Sequence, residues 1–365
     1  MSLRCGIVGL PNVGKSTLFN ALTNSSIPAE NYPFCTIEPH LGIVQLPDPR
    51  LEQLKTVYNP FKVTPSFVEF ADIAGLVKGA SNGEGLGNQF LGQIRQTAAI
   101  LHVVRCFDDE NINHVNSNVD PVRDIEIVET ELLLADIQTL EKQQLKIKKT
   151  NKINDLDEKL ALSMLEELIN HCSNGMKAND FKIDKELIPF KKSLFLLTDK
   201  PILYVANIDE PCVINKTKNK HLSSLENYLS SNYPLVTLCF SLEEEIAQLE
   251  NEEKSLYLSE YNLRDTGLNK VIQSSFNLLG LQTFFTCGEK EVRSWTIKKG
   301  VLAPKAAGEI HTDFERGFIK AEVFHYNELI KYGKEKALRE AGLIRQEGKN
   351  YIVKDGDCIF FKFNV

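Results

Sequence analysis

The sequence predicts an α/β protein with a mostly parallel sheet, an inserted antiparallel helical arm and a small α+β domain at the C-terminal end. Short apolar segments alternate with helical or glycine-rich segments over residues 1–120 and again after residue 200. That alternation is typical of a parallel sheet with crossover helices. Between these halves lies a long stretch with apolar residues three or four positions apart, which indicates amphipathic helices. After residue 280 segments of β character dominate.

The strands of the α/β part are short and apolar. Residues 3–8 form the first predicted strand, and a helix is expected to start near residue 17. Each further segment is rich in β-branched, leucine or aromatic residues, as buried strands are. The further predicted strands are residues 67–72, 100–106, 201–206 and 235–240.

The inserted arm is expected at about 121–198. It opens after Asp120-Pro121, and Ile125, Val128 and Leu132 begin its apolar stripe. Further helices are predicted at about 156–172 and 188–197, so that the arm forms an antiparallel hairpin. We therefore predict a domain over residues 1–280 that contains the arm, and a second domain over residues 281–365.

Composition narrows the class of protein. Of 365 residues, 42% are apolar and 25% charged, as in folded soluble proteins. No apolar run reaches the 18 residues that a membrane span needs, so we expect no membrane partner. The first strand starts too early for a secretory signal to precede it. The eight cysteines are scattered without a C-x-x-C pair, which indicates buried thiols in the cytoplasm.

Charge is unevenly distributed. The net charge of −7 argues against general attraction to nucleic acid. Residues 281–365, however, contain 15 Lys/Arg and 12 Asp/Glu, a local charge of +3 that leaves −10 for the rest. The arm also carries a lysine cluster, which is either a solvated helix face or an RNA-contacting patch. Its members are Lys142, Lys146, Lys148, Lys149 and Lys152.

The strongest motif is GLPNVGKST at residues 9–17, between the first strand and the first helix. It fits G-x-x-x-x-G-K-[ST], the loop whose backbone N–H groups surround nucleotide phosphates. Lys15 would reach the β- and γ-phosphate oxygens, and the Ser16 hydroxyl would hold Mg²⁺. The positive end of the helix dipole adds to this site. The predicted phosphate-binding residues are Asn12, Val13, Gly14, Lys15, Ser16 and Thr17.

A second motif supplies further parts of a phosphate site. Asp72-Ile73-Ala74-Gly75 follows a strand and fits D-x-x-G. Asp72 would join the Mg²⁺ shell, and the Gly75 amide would contact the γ-phosphate. Thr36 is the candidate residue to close over Mg²⁺ when the γ-phosphate is present. Five glycines between residues 75 and 87 favour a switch segment that nucleotide orders.

The base-recognition motif departs from that of a GTPase. Guanine is read by N-K-x-D, but the strand ending at Ala206 leads into Asn207-Ile208-Asp209-Glu210. Ile208 replaces the lysine, and Glu210 places its carboxylate about 1.5 Å away from where the shorter aspartate would hold it. The paired contact to guanine is then lost, so the residues favour ATP over GTP. Ser241 begins a loosened form of the S-A-K loop near the base.

The residue after the D-x-x-G motif is Leu76. Ras-type switches carry a glutamine there, which orients the water that attacks the γ-phosphate. Hydrolysis must then be slow, or helped by another residue or by a partner. His114 is one candidate for this catalytic role, and the alternative is an exposed structural histidine. Asn12 is a candidate ligand for a monovalent cation such as K⁺ beside the phosphates.

These motifs resemble the YchF/Obg-like ATPases, a branch of the translation-factor-related P-loop GTPases, over essentially the whole chain. GLPNVGKST, DIAGLVKGA at residues 72–80 and NIDE at residues 207–210 are similar to the family's G motifs. His114 falls where the family carries a histidine proposed to replace the glutamine. Residues 306–315 and 355–357 resemble its TGS domain, a ubiquitin-like β-grasp.

The resemblance implies an ATPase that prefers ATP to GTP, depends on Mg²⁺ and associates with the ribosome. We expect the contact to involve the large subunit or the whole ribosome, with rRNA as a further candidate partner. Ser241-Leu242-Glu243 and the lysine-rich arm depart from the family pattern. We expect a cytosolic switch that hydrolyses ATP slowly. The alternative is a non-catalytic ATP-gated adaptor, or an RNA- or ribosome-binding protein.

Overall fold

In a computed structural model of the chain, the structure describes residues 4–24, 40–75, 79, 86–115, 118–149, 156–230, 232–261 and 263–364. The strands are β1 Arg4–Val8, β2 Leu41–Gln45, β3 Lys62–Thr64, β4 Phe67–Asp72, β5 Ala99–Arg105, β6 Ile202–Asn207, β7 Leu235–Leu238, β8 Leu281–Cys287, β9 Glu291–Lys298, β10 Phe318–His325, β11 Arg345–Glu347 and β12 Asp357–Phe363. The α-helices are α1 Lys15–Asn24, α2 Pro49–Tyr58, α3 Leu86–Gln96, α4 Pro121–Lys149, α5 Leu156–Ser173, α6 Ile188–Ser193, α7 Glu210–Ile214, α8 Lys220–Leu229, α9 Phe240–Gln248, α10 Asn251–Glu260, α11 Gly267–Leu278, α12 Ala303–Ile310, α13 Thr312–Arg316, α14 Tyr326–Tyr332 and α15 Glu335–Glu340.

The first sheet has six strands in the order β2-β4-β1-β5-β6-β7. The neighbours β4-β1-β5-β6-β7 run parallel to one another. Every residue of β5 and β6 is buried, because helices cover both faces of such a sheet. The predicted fold class is confirmed. Since parallel strands end at one edge, the loops after β1, β4, β5 and β6 meet there and form the candidate site.

The arm consists of α4 and α5, which share a cluster of buried leucine, methionine and cysteine side chains. Its base is tied to the segment before β6 by the buried carboxylate of Asp136. That carboxylate accepts hydrogen bonds from the backbone N–H groups of Leu197 at 2.7 Å and Thr198 at 2.8 Å, and from the Thr198 hydroxyl at 2.7 Å. Of the lysine cluster, Lys142, Lys146, Lys148 and Lys149 are exposed on α4, and Lys152 lies outside the described residues.

The chain divides into two compact units, Met1–Gly42 with Glu69–Val271, and Ile43–Val68 with Ile272–Val365. We predicted a single division at residue 280. The structure instead groups residues 43–68 with the C-terminal unit, because β3 pairs in parallel with β9. A three-residue strand far from its partner in sequence gives no local signal of this pairing.

The second unit is built on a sheet with the order β11-β10-β12-β8-β9-β3. Alternate strand residues face opposite sides, as the period of two requires. Phe284, Ile359 and Phe361 pack with α12 on one face. Phe285 and Cys358 pack with α2, α14 and α15 on the other. This is an α+β arrangement, as predicted.

The prediction that the thiols are buried is confirmed for all described cysteines except Cys287. The structure describes seven of the eight cysteines, all as free thiols, and six of them are buried. Cys35 lies outside the described residues. Within the described ranges, no helix is both long and apolar enough to cross a membrane.

Candidate nucleotide-binding site

The loop between β1 and α1 has a backbone that only glycine permits at two positions. A Cβ atom on Gly9 would lie 2.5 Å from the carbonyl oxygen of Val103 in β5. Gly14 has φ +101°, and a Cβ atom there would lie 2.7 Å from the Phe240 ring and 2.8 Å from Nδ2 of Asn207. The loop is therefore held tightly against β5 and the loops after β6 and β7, which fits a backbone that closes around phosphates.

Lys15 is buried inside this loop. Its Nζ donates a hydrogen bond to the carbonyl oxygen of Leu10 at 2.8 Å. Burial lowers the pKa of Lys15 to about 8, and the negative charge of Asp72 opposes the shift. Gly75 lies against the same loop, because a Cβ atom on it would be 3.1 Å from both Lys15 Nζ and the Pro11 nitrogen. The two motifs thus meet around one desolvated amine that an anion would stabilise.

The residues predicted to hold Mg²⁺ lie together where the structure describes them. The Ser16 hydroxyl donates a hydrogen bond to Asp72 Oδ2 at 3.2 Å. Asp72 Oδ1 is buried, and the described part of the chain provides no hydrogen-bond partner for it. A buried carboxylate oxygen without a donor is costly, and oxygen donors of this kind suit a hard cation. The residues present therefore fit Mg²⁺. Thr36 lies outside the described residues.

Asn207, the last residue of β6, links the surrounding loops. Its Nδ2 donates to the carbonyl oxygen of Val13 at 3.2 Å, and its Oδ1 accepts from the backbone N–H of Phe240 at 3.2 Å. Both ends of the amide are thus engaged with the loops that surround the nucleotide position. Asn207 therefore holds the phosphate loop and the start of α9 together.

The other predicted base-binding residues differ in exposure. Ile208 follows Asn207 and is 5% exposed. Glu210 is exposed at the first position of α7, and Ser241 is exposed in α9. Glu243 instead caps α11, since its carboxylate accepts from the backbone N–H groups of Gly267 at 2.5 Å and Leu268 at 3.2 Å. This cap explains why a glutamate occupies the third position of the Ser241-Leu242-Glu243 stretch.

The side chain of His114 is buried, with 4% of it exposed. Its Nε2 lies 2.8 Å from Oδ2 of Asp124, whose side chain is also 4% exposed. The preceding residue, Asn113, accepts a hydrogen bond at its carbonyl oxygen from Asn12 Nδ2 at 3.2 Å. The histidine therefore lies beside the phosphate loop and is paired with the first turn of α4. The side chain is therefore not exposed, as the alternative interpretation had it, and a catalytic role for His114 stays a prediction. Leu76 lies outside the described residues.

Sequence reasoning missed three residues that shape the site: Asp124, Asn219 and Phe240. Asp124 stands in the first turn of α4, where an acidic residue ordinarily favours the helix dipole. Asn219 stands at the N-cap of α8, where asparagine is common. Phe240 reads as a core residue. The local sequence explains each of these three residues without a role in the site. Their contacts with the site are visible only once the loops at this edge of the sheet are placed together.

A glycine-lined turn that leads from a central parallel strand into a helix, with a buried lysine inside it and a carboxylate from the neighbouring strand, is the arrangement of the P-loop nucleotide-binding proteins. The fold and the site place the chain in this class. The phosphate loop, the D-x-x-G motif and the loop after β6 all contribute to one edge of the sheet, as they do in the GTPase-type members of the class.

Comparison with known proteins narrows the class. A family model described as a 50S ribosome-binding GTPase matches residues 4–133, and the model of the YchF GTPase C-terminal domain, described as a protein of unknown function, matches residues 281–364. Proteins named Ribosome-binding ATPase YchF from Bacillus subtilis and Escherichia coli O157:H7 are 50% and 49% identical over 366 residues, which is 100% of this chain and of each relative. The Schizosaccharomyces pombe YchF GTPase structure superposes with a TM-score of 0.89 at 39% identity and covers 99% of this chain and 98% of that chain. The chain belongs to the YchF family.

Proposed function

We propose that the chain is a cytoplasmic nucleotide-dependent switch that binds ATP in preference to GTP, hydrolyses it slowly with Mg²⁺, and associates with the ribosome. The observation that carries the preference for ATP is the loop after β6. Ile208 is buried at the position where guanine-reading loops carry lysine, and Glu210 is exposed at the start of α7.

Phosphate binding rests on the glycine loop and Lys15. The backbone N–H groups of residues 12–17 would surround the phosphates, and Lys15 would regain the charge that burial disfavours. Ser16 and Asp72 would hold Mg²⁺, with Thr36 as the predicted third ligand. When bound, the ion neutralises charge that develops on the transferred phosphoryl group. A K⁺ ion beside Asn12 is a further proposal, and the Asn12 amide nitrogen already contacts Asn113.

Base selection follows from hydrogen bonding. A carboxylate can accept both the N1–H and the N2 amino hydrogens of guanine, whereas adenine offers an acceptor and a donor on that edge. The isoleucine side chain does not cover the base ring as the stem of a lysine does, and it offers the base no polar contact. A site without a well-placed carboxylate loses the discrimination that such a contact gives.

We propose slow hydrolysis because leucine at position 76 cannot polarise water. His114 is the candidate to orient the attacking water. Its buried position next to Asn113, and hence next to the phosphate loop, supports this role. A ring held against Asp124 is also well placed to keep one orientation.

Ribosome association is proposed from the name that the relatives carry and from charge. The exposed lysines on α4 provide a positive surface on the arm, and residues 281–365 carry a net +3. We expect sedimentation with ribosomal subunits that depends on whether ATP or ADP is present. Co-sedimentation that is identical in both nucleotides contradicts the switch. Reversal of the charges at Lys146, Lys148 and Lys149 tests whether the arm contacts rRNA.

The test of nucleotide preference is equilibrium binding of ATP and GTP to the wild-type protein, where stronger binding of GTP refutes the proposal. Glu210→Asp shortens the exposed side chain to that of the guanine motif, and we expect it to raise relative GTP affinity by about tenfold, the size of one charge-assisted hydrogen bond. Glu245→Asp, an exposed change in α9, is the matched control. Absence of turnover even with ribosomes present would instead favour the adaptor.

A further inference from the structure

The start of α8 contacts the loops that follow both β5 and β6. Asn219 is the N-cap of this helix, and its Oδ1 accepts a hydrogen bond from the backbone N–H of Leu222 at 2.8 Å. Its Nδ2 also donates to the carbonyl oxygen of Cys106 at 2.7 Å and to Oδ1 of Asp209 at 3.1 Å. An N-cap needs only the accepting oxygen. The two donated bonds are therefore a separate feature of this side chain.

Asp209 is the third residue of the NIDE loop. Two residues before it, Asn207 contacts the phosphate loop through Val13, so Asp209 lies in the segment next to the nucleotide position. Its carboxylate is turned toward Asn219, at the start of α8. It also forms a hydrogen bond with the thiol of Cys212. The pKa of that thiol is raised mainly by burial and secondly by this hydrogen bond. The Asp209 carboxylate is therefore held by Asn219 and Cys212.

A carboxylate that reached the base from this loop would favour guanine, because guanine presents two adjacent donors to it. Preference for ATP therefore needs more than the absence of aspartate at position 210. It also needs the neighbouring carboxylate, one position earlier, to be kept away from the base. The bond from Asn219 meets that need.

We propose that Asn219 is a positioning residue that determines base specificity: it holds the Asp209 carboxylate against the start of α8 and so withholds it from the base. This inference rests on the proposed preference for ATP at the same site. Asn219 acts through Asp209 and does not touch the nucleotide. The three bonds of its amide fix the path of the loop between β6 and α7 relative to α8.

Asn219→Ser tests the role, because serine is an equally good N-cap but is too short to donate to Asp209. Affinities for ATP and GTP are measured by fluorescence titration with their methylanthraniloyl derivatives. We expect the ratio of GTP to ATP affinity to rise at least about fivefold. Asn215→Ser, a matched change at the exposed C-cap of α7, should leave the ratio unchanged. Asn219→Asp keeps the cap and removes the donor, and it should shift the ratio in the same direction.

The double variant identifies the carboxylate responsible. Asp209→Asn alone should leave the ratio within about twofold of wild type, because the carboxylate is already withheld. In the Asn219→Ser background it should abolish the gain in GTP binding. A gain that persists in the double variant, or an unchanged ratio in both folded Asn219 variants, overturns the inference. A wild-type protein without preference for ATP overturns the proposed function, and this inference with it.

Discussion

Gly14→Ala tests whether the phosphate loop must have the observed backbone. The new Cβ atom would lie 2.7 Å from the Phe240 ring and 2.8 Å from Asn207 Nδ2, closer than Cβ atoms pack. The φ of +101° adds about 1–3 kcal/mol of backbone strain. Relief of the overlap would displace the Asn207 amide and weaken its two hydrogen bonds, at about 1 kcal/mol each.

If the variant loop relaxes away from this path in the free protein, ATP binding must restore the path at a cost of about 3–5 kcal/mol, the sum of these terms. That cost corresponds to a loss of ATP affinity of roughly 100-fold or more. Equilibrium binding of ATP is the assay, with thermal unfolding to confirm that the variant is folded. Gly175→Ala is the matched control, because Gly175 also has a positive φ, +80°, and within the described part of the chain no atom lies within 4 Å of the added Cβ. It should cost about 1 kcal/mol of stability and leave ATP affinity unchanged. If Gly14→Ala binds ATP within threefold of wild type, our account of the loop is refuted.

Three further predictions concern metal binding, stability and pH. Ser16→Ala should remove at least about tenfold of the gain in ATP affinity that Mg²⁺ gives over EDTA, and an unchanged gain would exclude the serine as a ligand. Asp136→Ala leaves two backbone N–H groups and a hydroxyl buried without their acceptor, so the free energy of unfolding in urea should fall by about 3–5 kcal/mol; a loss below 1 kcal/mol would contradict this. Burial lowers the pKa of His102 from 6.5 to about 3, so the unfolded chain binds its proton first and stability is lost as pH falls below 6.5. Between pH 8 and 5 this loss is about 2 kcal/mol, and His102→Gln should remove it from urea titrations at the two pH values.

Local spacing made the phosphate loop and the D-x-x-G motif predictable. The G-x-x-x-x-G-K-[ST] pattern specifies a backbone path within eight residues, and its position between a strand and a helix specifies the context. The strands predicted near residues 67, 100, 201 and 235 are all present, because buried parallel strands are continuous apolar runs. The motif and the apolar strands depend on residues that are close in sequence, so they can be predicted from a single sequence.

Pairings between distant residues could not be predicted in this way. The pairing of β3 with β9 joins residues that are more than two hundred positions apart, and it moves residues 43–68 into the C-terminal unit. Asn219 reaches Cys106 across 113 positions. The local sequence explains Asn219 as a helix cap. Nothing in the sequence therefore indicated that its amide also donates to Cys106 and Asp209.

The sequence by itself determined that a phosphate-loop motif follows the first strand, with Ser16 as its candidate metal ligand, because short-range steric and charge requirements specify that motif. Only the tertiary structure decided how the side chains around it are used. His114 is buried against Asp124, Asn207 connects two loops, and Asp209 is turned toward Asn219. The physical reason is that hydrogen-bond geometry depends on which loops meet at the edge of the sheet, and that meeting is fixed by strand order and not by spacing along the chain.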